Sequence, residues 1–279
     1  MQGIFQMNEP YTVPSFTMAD YNLYRVDERV FWAFILAALA FCVIHAARRA
    51  FRQPKPTDLP SPATPSAGEE EMERHTLFQR IFHWANAVAI FVLAGSGWMI
   101  YRPGQVPSLE GPPSEWFLWH RWGAALLFTG IAAHIIREAF IAREANPMGF
   151  NRAEVRRTLS IFKNFFGLSK HYPLAGKYHA GQLIFHWAVA GNLFALILTG
   201  MVLWKPLRGL LPLSLFGLGW DFIYFARILH GFFSATLFAS LIGHIYFALF
   251  IKKNWSEAKS MVTGRMPLRE YLTSHSPQD

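Results

Sequence analysis

Histidine is the residue type in this sequence best suited to carry chemistry, and several histidines recur at one spacing. Fourteen residues separate His120 from His134, and fourteen separate His230 from His244. On a helix, fourteen residues return a side chain to roughly the same face and advance it by about 21 Å. Each such helix would therefore present one imidazole near each surface of a hydrocarbon core about 30 Å thick.

The segments that precede these two helices resemble each other as well. HWANAVAIFVLAGSG begins at His83 and HWAVAGNLFALILTG begins at His186, and each places a glycine fourteen residues on, at Gly97 and Gly200. The four segments together predict two tandem hairpins related by a pseudo-twofold axis along the membrane normal. The histidines then form two layers, with His120 and His230 near the outer face and His83, His134, His186 and His244 near the inner face.

Layered imidazoles of this kind point to bound haem. Neutral imidazole is an axial ligand of haem iron, and two imidazoles from facing helices leave no position open for a substrate, so the site transfers electrons. A lone histidine such as His45 is more simply explained by a hydrogen bond to a neighbouring helix, whereas two facing pairs at matched depth favour a cofactor. Beside the outer pair, Arg121 and Arg227 could meet haem propionates or anchor the helix ends at the interface.

The composition indicates a membrane setting. Hydrophobic residues make up 52% of the chain and charged residues only 16%, where a soluble domain carries nearer a quarter charged residues. Five apolar runs predict spans at about 30–48, 82–101, 116–142, 183–204 and 222–251. The predicted fold class is an all-α integral membrane protein, a four-helix transmembrane haem-binding bundle plus one extra N-terminal transmembrane helix. Cys42 is the only cysteine, which excludes an internal disulfide, a Cys-ligated iron–sulfur cluster and CxxCH haem attachment.

The distribution of basic residues predicts the orientation. Segments 48–81, 137–182 and 252–279 hold 19 of the 26 Lys and Arg residues, so the positive-inside rule places them in the cytoplasm and the N-terminus outside. The net charge of +8 is therefore topological and does not indicate nucleic acid. The predicted divisions are an external tail 1–29, the extra span 30–48, a cytoplasmic linker 49–75, the bundle 76–254 with its cytoplasmic loop 143–182, and a cytoplasmic tail 255–279. Within the loop, 152–166 mixes Arg with Phe, Ile and Leu and is predicted to lie along the inner interface.

Five motifs carry a resemblance to a known family: FQRIFHW, KYHAGQ, RILHGFF, GHIYFALF and MVTGRMPLREY. Over about residues 76–272 the chain resembles the cytochrome b (gamma) subunit of membrane-bound formate dehydrogenases, within the wider bacterial cytochrome b561 family that also serves nickel–iron hydrogenases and thiosulfate reductase. The resemblance implies two b-type haems, the outer held by His120 and His230 and the inner by His83 and His244. It also implies a site for menaquinone or ubiquinone at the inner haem, formed by His179, Gly181, Gln182 and His244.

The function implied by the resemblance is an electron conduit in the bacterial inner membrane. In this family a periplasmic subunit with a molybdenum or tungsten pterin oxidises formate, and an iron–sulfur subunit delivers the electrons to the outer haem. Formate chemistry then belongs to a partner, so the status of this chain as an enzyme stays open, as does any higher oligomer of the complex. Symmetry pairs His134 with His186, which suggests a third haem or a proton-delivering polar site.

Three alternatives remain open from the sequence. The same fold could serve a hydrogenase or a thiosulfate or polysulfide reductase. The histidines could instead form the relay of a haem-free proton channel or transporter, or the chain could be an anchor without a cofactor.

Overall fold

The computed structural model describes residues 18–51, 70–101, 113–142, 156, 159–160, 163, 178, 180–204, 206–207 and 220–274. Predictions for the external tail up to residue 17, for most of the linker and cytoplasmic loop, and for His179 lie outside these residues. The long helices are α1 (Met18–Phe51), α2 (Leu77–Tyr101), α3 (Pro113–Ile136), α4 (Ala180–Leu203) and α5 (Trp220–Ile245). The shorter elements are β1 (Glu71–Glu73), α6 (Trp255–Thr263), β2 (Arg265–Pro267) and α7 (Leu268–Ser274). A π-helical segment extends α3 over Arg137–Ala142, another extends α5 over Tyr246–Phe250, and a 3-10 turn, Lys252–Asn254, leads into α6.

Among the described helices, four contain stretches long and apolar enough to cross a membrane: Glu28–Ala50, Leu77–Tyr101, Gly181–Leu203 and Phe222–Phe250. Helix α3 is not among these four. It nevertheless runs antiparallel to α2 along most of the length of α2. Contacts of His120 with Ser96 and of His134 with Phe82 mark the two ends of this pairing. The predicted all-α membrane fold, with one helix in addition to a four-helix bundle, is confirmed.

Helices α2 to α5 share one apolar layer at the middle of the bundle. Ala89 and Ile90 of α2 meet Leu127 of α3, Leu193 of α4 and Leu237 of α5 in a single cluster of buried side chains. This cluster lies between the two histidine levels, and beside it Thr236 donates to Asn192 Oδ1 at 2.8 Å. Because lipid is as apolar as the side chains of the cluster, close packing rather than water exclusion holds the helices together here.

Helix α1 packs on the outside of the bundle, mainly against α5. The rings of Phe31 and Phe238 lie 5.6 Å apart, and those of Phe34 and Phe232 lie 5.5 Å apart. Nearer the other end of α1, His45 Nδ1 shares a 2.9 Å hydrogen bond with the Tyr246 hydroxyl. His45 is thus hydrogen-bonded to a neighbouring helix, as the sequence analysis predicted for a lone intramembrane histidine.

A small cap of secondary structure fixes the start of α2. Thr76 and Gln79 form a reciprocal capping box, in which each backbone N–H donates to the other residue's side-chain oxygen at 3.0 and 3.3 Å. Strand β1 pairs antiparallel with β2. Gly264 ends α6 with a φ of 86°, a left-handed conformation that glycine adopts without strain.

We call β1, α6 and β2 the cap. Residues 71–75, which were predicted to be the end of a linker, belong to it. The backbone N–H groups of Arg74 and His75 both donate to the Gly264 carbonyl, at 2.8 and 3.1 Å, and both side chains are buried. Pairing with β2, more than 190 positions later in the chain, orders this end of the linker. A composition typical of a linker could not reveal that partner.

Candidate functional site

Two pairs of histidine rings face each other inside the bundle. His83 of α2 and His244 of α5 have ring centroids 6.2 Å apart. His120 of α3 and His230 of α5 have centroids 6.3 Å apart. Helix α5 contributes one ring to each pair, and the fourteen residues between its two histidines separate the pairs by about 21 Å along the helix axis.

The spacing within each pair matches two imidazoles on one metal ion. Metal bonds to imidazole nitrogen are about 2.0–2.1 Å long and a ring nitrogen lies about 1.1 Å from the centroid, so a bridged pair requires about 6.3 Å between centroids. In the described part of the chain, no three His, Cys, Asp or Glu side chains cluster closely enough to hold a bare ion. Two imidazoles leave the other coordination positions of a metal ion open, and the four nitrogens of a porphyrin are ligands that would fill them.

Hydroxyl groups fix the ring orientation of the His120–His230 pair. Ser96 Oγ donates to the Val92 carbonyl at 2.6 Å, so its lone pairs are left to accept from Nδ1–H of His120 at 3.0 Å. Thr199 Oγ1 likewise donates to a carbonyl one turn earlier at 2.7 Å and accepts from Nδ1–H of His230 at 2.8 Å. A neutral imidazole that carries its proton on Nδ1 has a free lone pair on Nε2, which is the form that binds iron.

Glycines bring the backbone close to these two rings. A Cβ at Gly97 would lie 3.4 Å from Cε1 of His120, and a Cβ at Gly200 would lie 3.6 Å from Cε1 of His230. At the other level, a Cβ at Gly243 would meet nothing within 4 Å, so there is open space beside His244. A larger residue at Gly97 or Gly200 would extend toward an imidazole.

His134 and His186 are the two remaining histidines of the repeat, and His134 has surroundings similar to those of His244 in the second hairpin. The His134 ring stacks on Phe82 at 4.5 Å, as His244 stacks on Phe185 at 4.9 Å in the second hairpin. His186 lies within electrostatic range of His134, but the described residues include no ring contact between them comparable to those of the other two pairs. A third pair is thus less closely arranged, and a third haem there stays a prediction.

The other predicted site residues are spread more widely. The guanidinium carbon of Arg121 lies 5.6 Å from the centroid of the Trp204 ring, and Arg227 is exposed. Gly181 is exposed and Gln182 is half-buried in the first turn of α4. These positions leave the predicted propionate and quinone roles untested.

The sequence analysis missed two groups of residues. Ser96 and Thr199 were not predicted as partners of His120 and His230, although each directly precedes the glycine of its repeat. The second group surrounds Arg74, whose side chain is 1% exposed and forms a 3.1 Å ion pair with Glu257. The Arg74 guanidinium lies over the rings of Tyr178 and Tyr271, 5.0 and 5.6 Å from their centroids. Tyr178 directly precedes His179 in the chain, so this cluster adjoins the predicted quinone segment.

The environment of Tyr178 keeps its phenol protonated. Burial raises the pKa of the phenol, and the neighbouring carboxylates of Glu257 and Glu138 act in the same direction, while Arg74 opposes them in part. Because burial is the largest cause, the pKa stays above its usual value near 10. Tyr178 is therefore a neutral hydrogen-bonding group at physiological pH.

Comparison with known proteins agrees with this architecture. Residues 74–264 match the family described as prokaryotic cytochrome b561. The chain belongs to this family. It is a membrane cytochrome b, and b-type haem is the cofactor that the paired imidazoles fit.

Two curated proteins from Escherichia coli strain K12 are similar in sequence to this cytochrome b561 family member. The cytochrome b556(Fdn) subunit of its nitrate-inducible formate dehydrogenase is 22% identical over 208 residues, or 74% of this chain and 88% of the relative. The formate dehydrogenase cytochrome b556(fdo) subunit is 26% identical over 181 residues, or 64% of this chain and 79% of the relative. The resemblance stated from the sequence motifs is confirmed.

Proposed function

We propose that this chain is the cytochrome b subunit of a respiratory formate dehydrogenase and carries electrons across the inner membrane to quinone. The observation that supports this most directly is the pair of imidazole–imidazole spacings, 6.2 and 6.3 Å, at two levels of one bundle. The similarity to subunits named for formate dehydrogenase supports the choice of partner enzyme.

Four histidines would hold the cofactors. His120 and His230 ligate one b-type haem near the periplasmic side, and His83 and His244 ligate a second near the cytoplasmic side. Each haem, when bound, supplies a one-electron couple without an open coordination position for a substrate. The chain's own contribution is to hold neutral Nε2 ligands in facing positions at two levels, with an apolar cluster between them.

The quinone site would lie at the cytoplasmic level. We assign it to His179, Gly181 and Gln182 together with His244. Gly181 and Gln182 lie in the first turn of α4, and Phe185 of the same helix stacks on the His244 ring at 4.9 Å. A histidine at position 179 can both bond a quinone oxygen and deliver a proton. Protons taken up with menaquinone or ubiquinone would then come from the cytoplasm, so that the reaction helps to charge the membrane.

The proposed assembly follows from this direction of transfer. An iron–sulfur subunit delivers electrons from a periplasmic catalytic subunit, which carries a molybdenum or tungsten pterin and oxidises formate. The basic segments orient the N-terminus to the periplasm and the C-terminus to the cytoplasm. Residues 76–254 are the haem-binding unit, and α1 is an addition outside the matched family region.

Haem spectroscopy on the purified complex, with and without formate, tests the proposal. We expect co-purification with a formate-oxidising subunit and, on addition of formate, the narrow α-bands of reduced b-type haem at two haems per chain. Three haems would assign His134 and His186 to a third site. A colourless protein would support a channel, a different co-purifying enzyme would support a hydrogenase or sulfur-compound reductase, and unchanged quinone reduction in His230→Ala and His244→Ala would support a simple anchor.

A further inference from the structure

We infer that the hydroxyls of Ser96 and Thr199 lower the midpoint potential of the haem held at His120 and His230. The inference rests on the proposed haem ligation and adds positioning residues to it. Both hydroxyls are nearly inaccessible, with Ser96 3% and Thr199 8% exposed. Each is hydrogen-bonded to one ring of the same pair, at 3.0 and 2.8 Å.

The direction of these hydrogen bonds decides their effect. A serine or threonine hydroxyl has one proton, and here it is engaged by a carbonyl of its own helix at 2.6 or 2.7 Å. The histidine nitrogen is therefore the donor, and the hydroxyl oxygen the acceptor. The backbone carbonyls of Leu93 and Leu196 also interact with these two rings, and the hydroxyls are the side-chain groups at hydrogen-bonding distance from Nδ1, at 3.0 and 2.8 Å.

A ring that donates from Nδ1 is a more basic ligand at Nε2. Outer-shell acceptors raise the electron density of the imidazole, which stabilises the higher oxidation state of the bound metal. Hydrogen bonding around the axial ligands is one of the means by which proteins tune haem potential. Two such bonds, one to each of the rings that would hold the haem, act in the same direction and would lower its midpoint potential.

Both hydroxyls belong to the His120–His230 level. Among the described residues, no side chain hydrogen-bonds to a ring nitrogen of His83 or His244, whose recorded neighbours are aromatic rings such as Trp84 and Phe185. The hydroxyls therefore add driving force from the His120–His230 level toward the His83–His244 level. This is the direction proposed for electron flow to quinone.

An optical redox titration of the full-length chain in its complex tests the inference. The variants are Ser96→Ala, Thr199→Val and the double substitution, with His120→Ala used to assign the α-band component of the affected haem. We expect each single variant to raise the ratio of reduced to oxidised haem at the wild-type midpoint about tenfold, the lower end of typical outer-shell effects. For a one-electron couple, tenfold corresponds to about 59 mV upward. The second component should keep its midpoint.

Matched controls separate tuning from a general structural effect. Ser234 donates to the backbone carbonyl of His230 at 2.7 Å and does not contact the ring in any recorded bond, so Ser234→Ala should leave both midpoints unchanged. Thr199→Ser and Ser96→Thr keep the hydroxyl and should preserve the wild-type midpoint. If Ser96→Ala or Thr199→Val loses the haem while its hydroxyl-retaining counterpart keeps it, the positioning role is likewise supported.

Three results would overturn the inference: an unchanged or lowered midpoint in Ser96→Ala and Thr199→Val, an equal shift of both components, or loss of haem in the hydroxyl-retaining variants as well. These outcomes differ from failure of the proposed function, in which the wild-type complex itself would contain no haem reducible by formate.

Discussion

At the scale of single residues, the neighbours of a histidine determine what it can do. His45 and His230 are both partly enclosed and both form a hydrogen bond through Nδ1. His45 meets the phenol of Tyr246 and no second imidazole among the described residues. His230 faces His120 across 6.3 Å with Gly200 beside it. Only the second arrangement brings two imidazoles close enough to share a metal.

The glycine beside His230 gives a prediction at this scale. In Gly200→Leu, the added side chain must extend from a Cβ that already lies 3.6 Å from Cε1 of His230. Such overpacking typically costs about 1–3 kcal/mol and displaces the ring. We expect haem per chain, measured by the pyridine haemochrome method, to fall by about half because one of two sites is lost.

Gly191 on the same helix provides the control, since a Cβ there meets nothing within 4 Å. Gly191→Leu should keep the full haem content. Full haem content in Gly200→Leu as well would contradict the assigned position of the site.

At the scale of elements, the cap joins the start of α2 to the C-terminal segment. Arg80 Nη1 donates to the Val262 carbonyl at 2.7 Å, and Trp84 Nε1 donates to the Met261 carbonyl at 3.0 Å. Trp84 is the residue after the proposed ligand His83. The cap therefore holds the first turns of α2, and with them His83, in a defined position relative to α6.

The ion pair within the cap gives a prediction for stability. In Arg74→Met, the carboxylate of Glu257 loses its 3.1 Å partner. Breaking a buried pair typically costs about 3–5 kcal/mol, and we expect about 3 kcal/mol because Glu257 remains 20% exposed and is partly solvated. The free energy of unfolding, measured by reversible denaturation in detergent micelles, should fall by that amount.

Arg265→Met is the matched control within the same cap. Arg265 lies 3.9 Å from Glu71, and both side chains are more than half exposed, so the loss should be within about 0.5 kcal/mol. Equal effects of Arg74→Met and Arg265→Met would show that burial of the first pair does not matter to stability.

At the scale of the whole molecule, charge is distributed very unevenly along the chain. Most of the basic residues fall in three segments that follow the first, third and fifth predicted spans, so two crossings separate each segment from the next and all three lie on the same side as the C-terminus. The two histidine levels follow this polarity, with the His83–His244 pair at the end that carries the cap. The proposed orientation and the proposed direction of electron flow therefore stand or fall together.

Cysteine labelling tests this orientation. In a Cys42→Ala background without other cysteines, we expect Asn8→Cys to react with a membrane-impermeant maleimide on intact spheroplasts. Lys259→Cys, at an exposed position of α6, should react only after the membrane is opened, because the proposed orientation places the basic segments in the cytoplasm. Both cysteines should react in detergent, and the reverse pattern on spheroplasts would overturn the orientation and the quinone side proposed with it.

The positions of most long helices could be predicted from the lengths of the apolar runs in the sequence. The predicted spans agree with α2, α4 and α5 to within a few residues at most ends, and the helices begin earlier where polar caps extend them. The start of α2 shows why, since Thr76 and Gln79 satisfy the first N–H groups of the helix before its apolar run begins. The strand pairing that buries Arg74 was not predictable, because β1 and β2 are three residues each and far apart in sequence.

The sequence by itself determined the depth and face of each histidine, because a helix repeats its geometry every 3.6 residues wherever it lies. It also determined that the two hairpins repeat. Periodicity does not specify which helix lies opposite: the family resemblance implied that His244 pairs with His83 rather than His186, and the tertiary structure places those two rings 6.2 Å apart. Only the tertiary structure identified Ser96 and Thr199, which are ordinary polar residues of apolar helices until packing brings each within hydrogen-bonding distance of a ring.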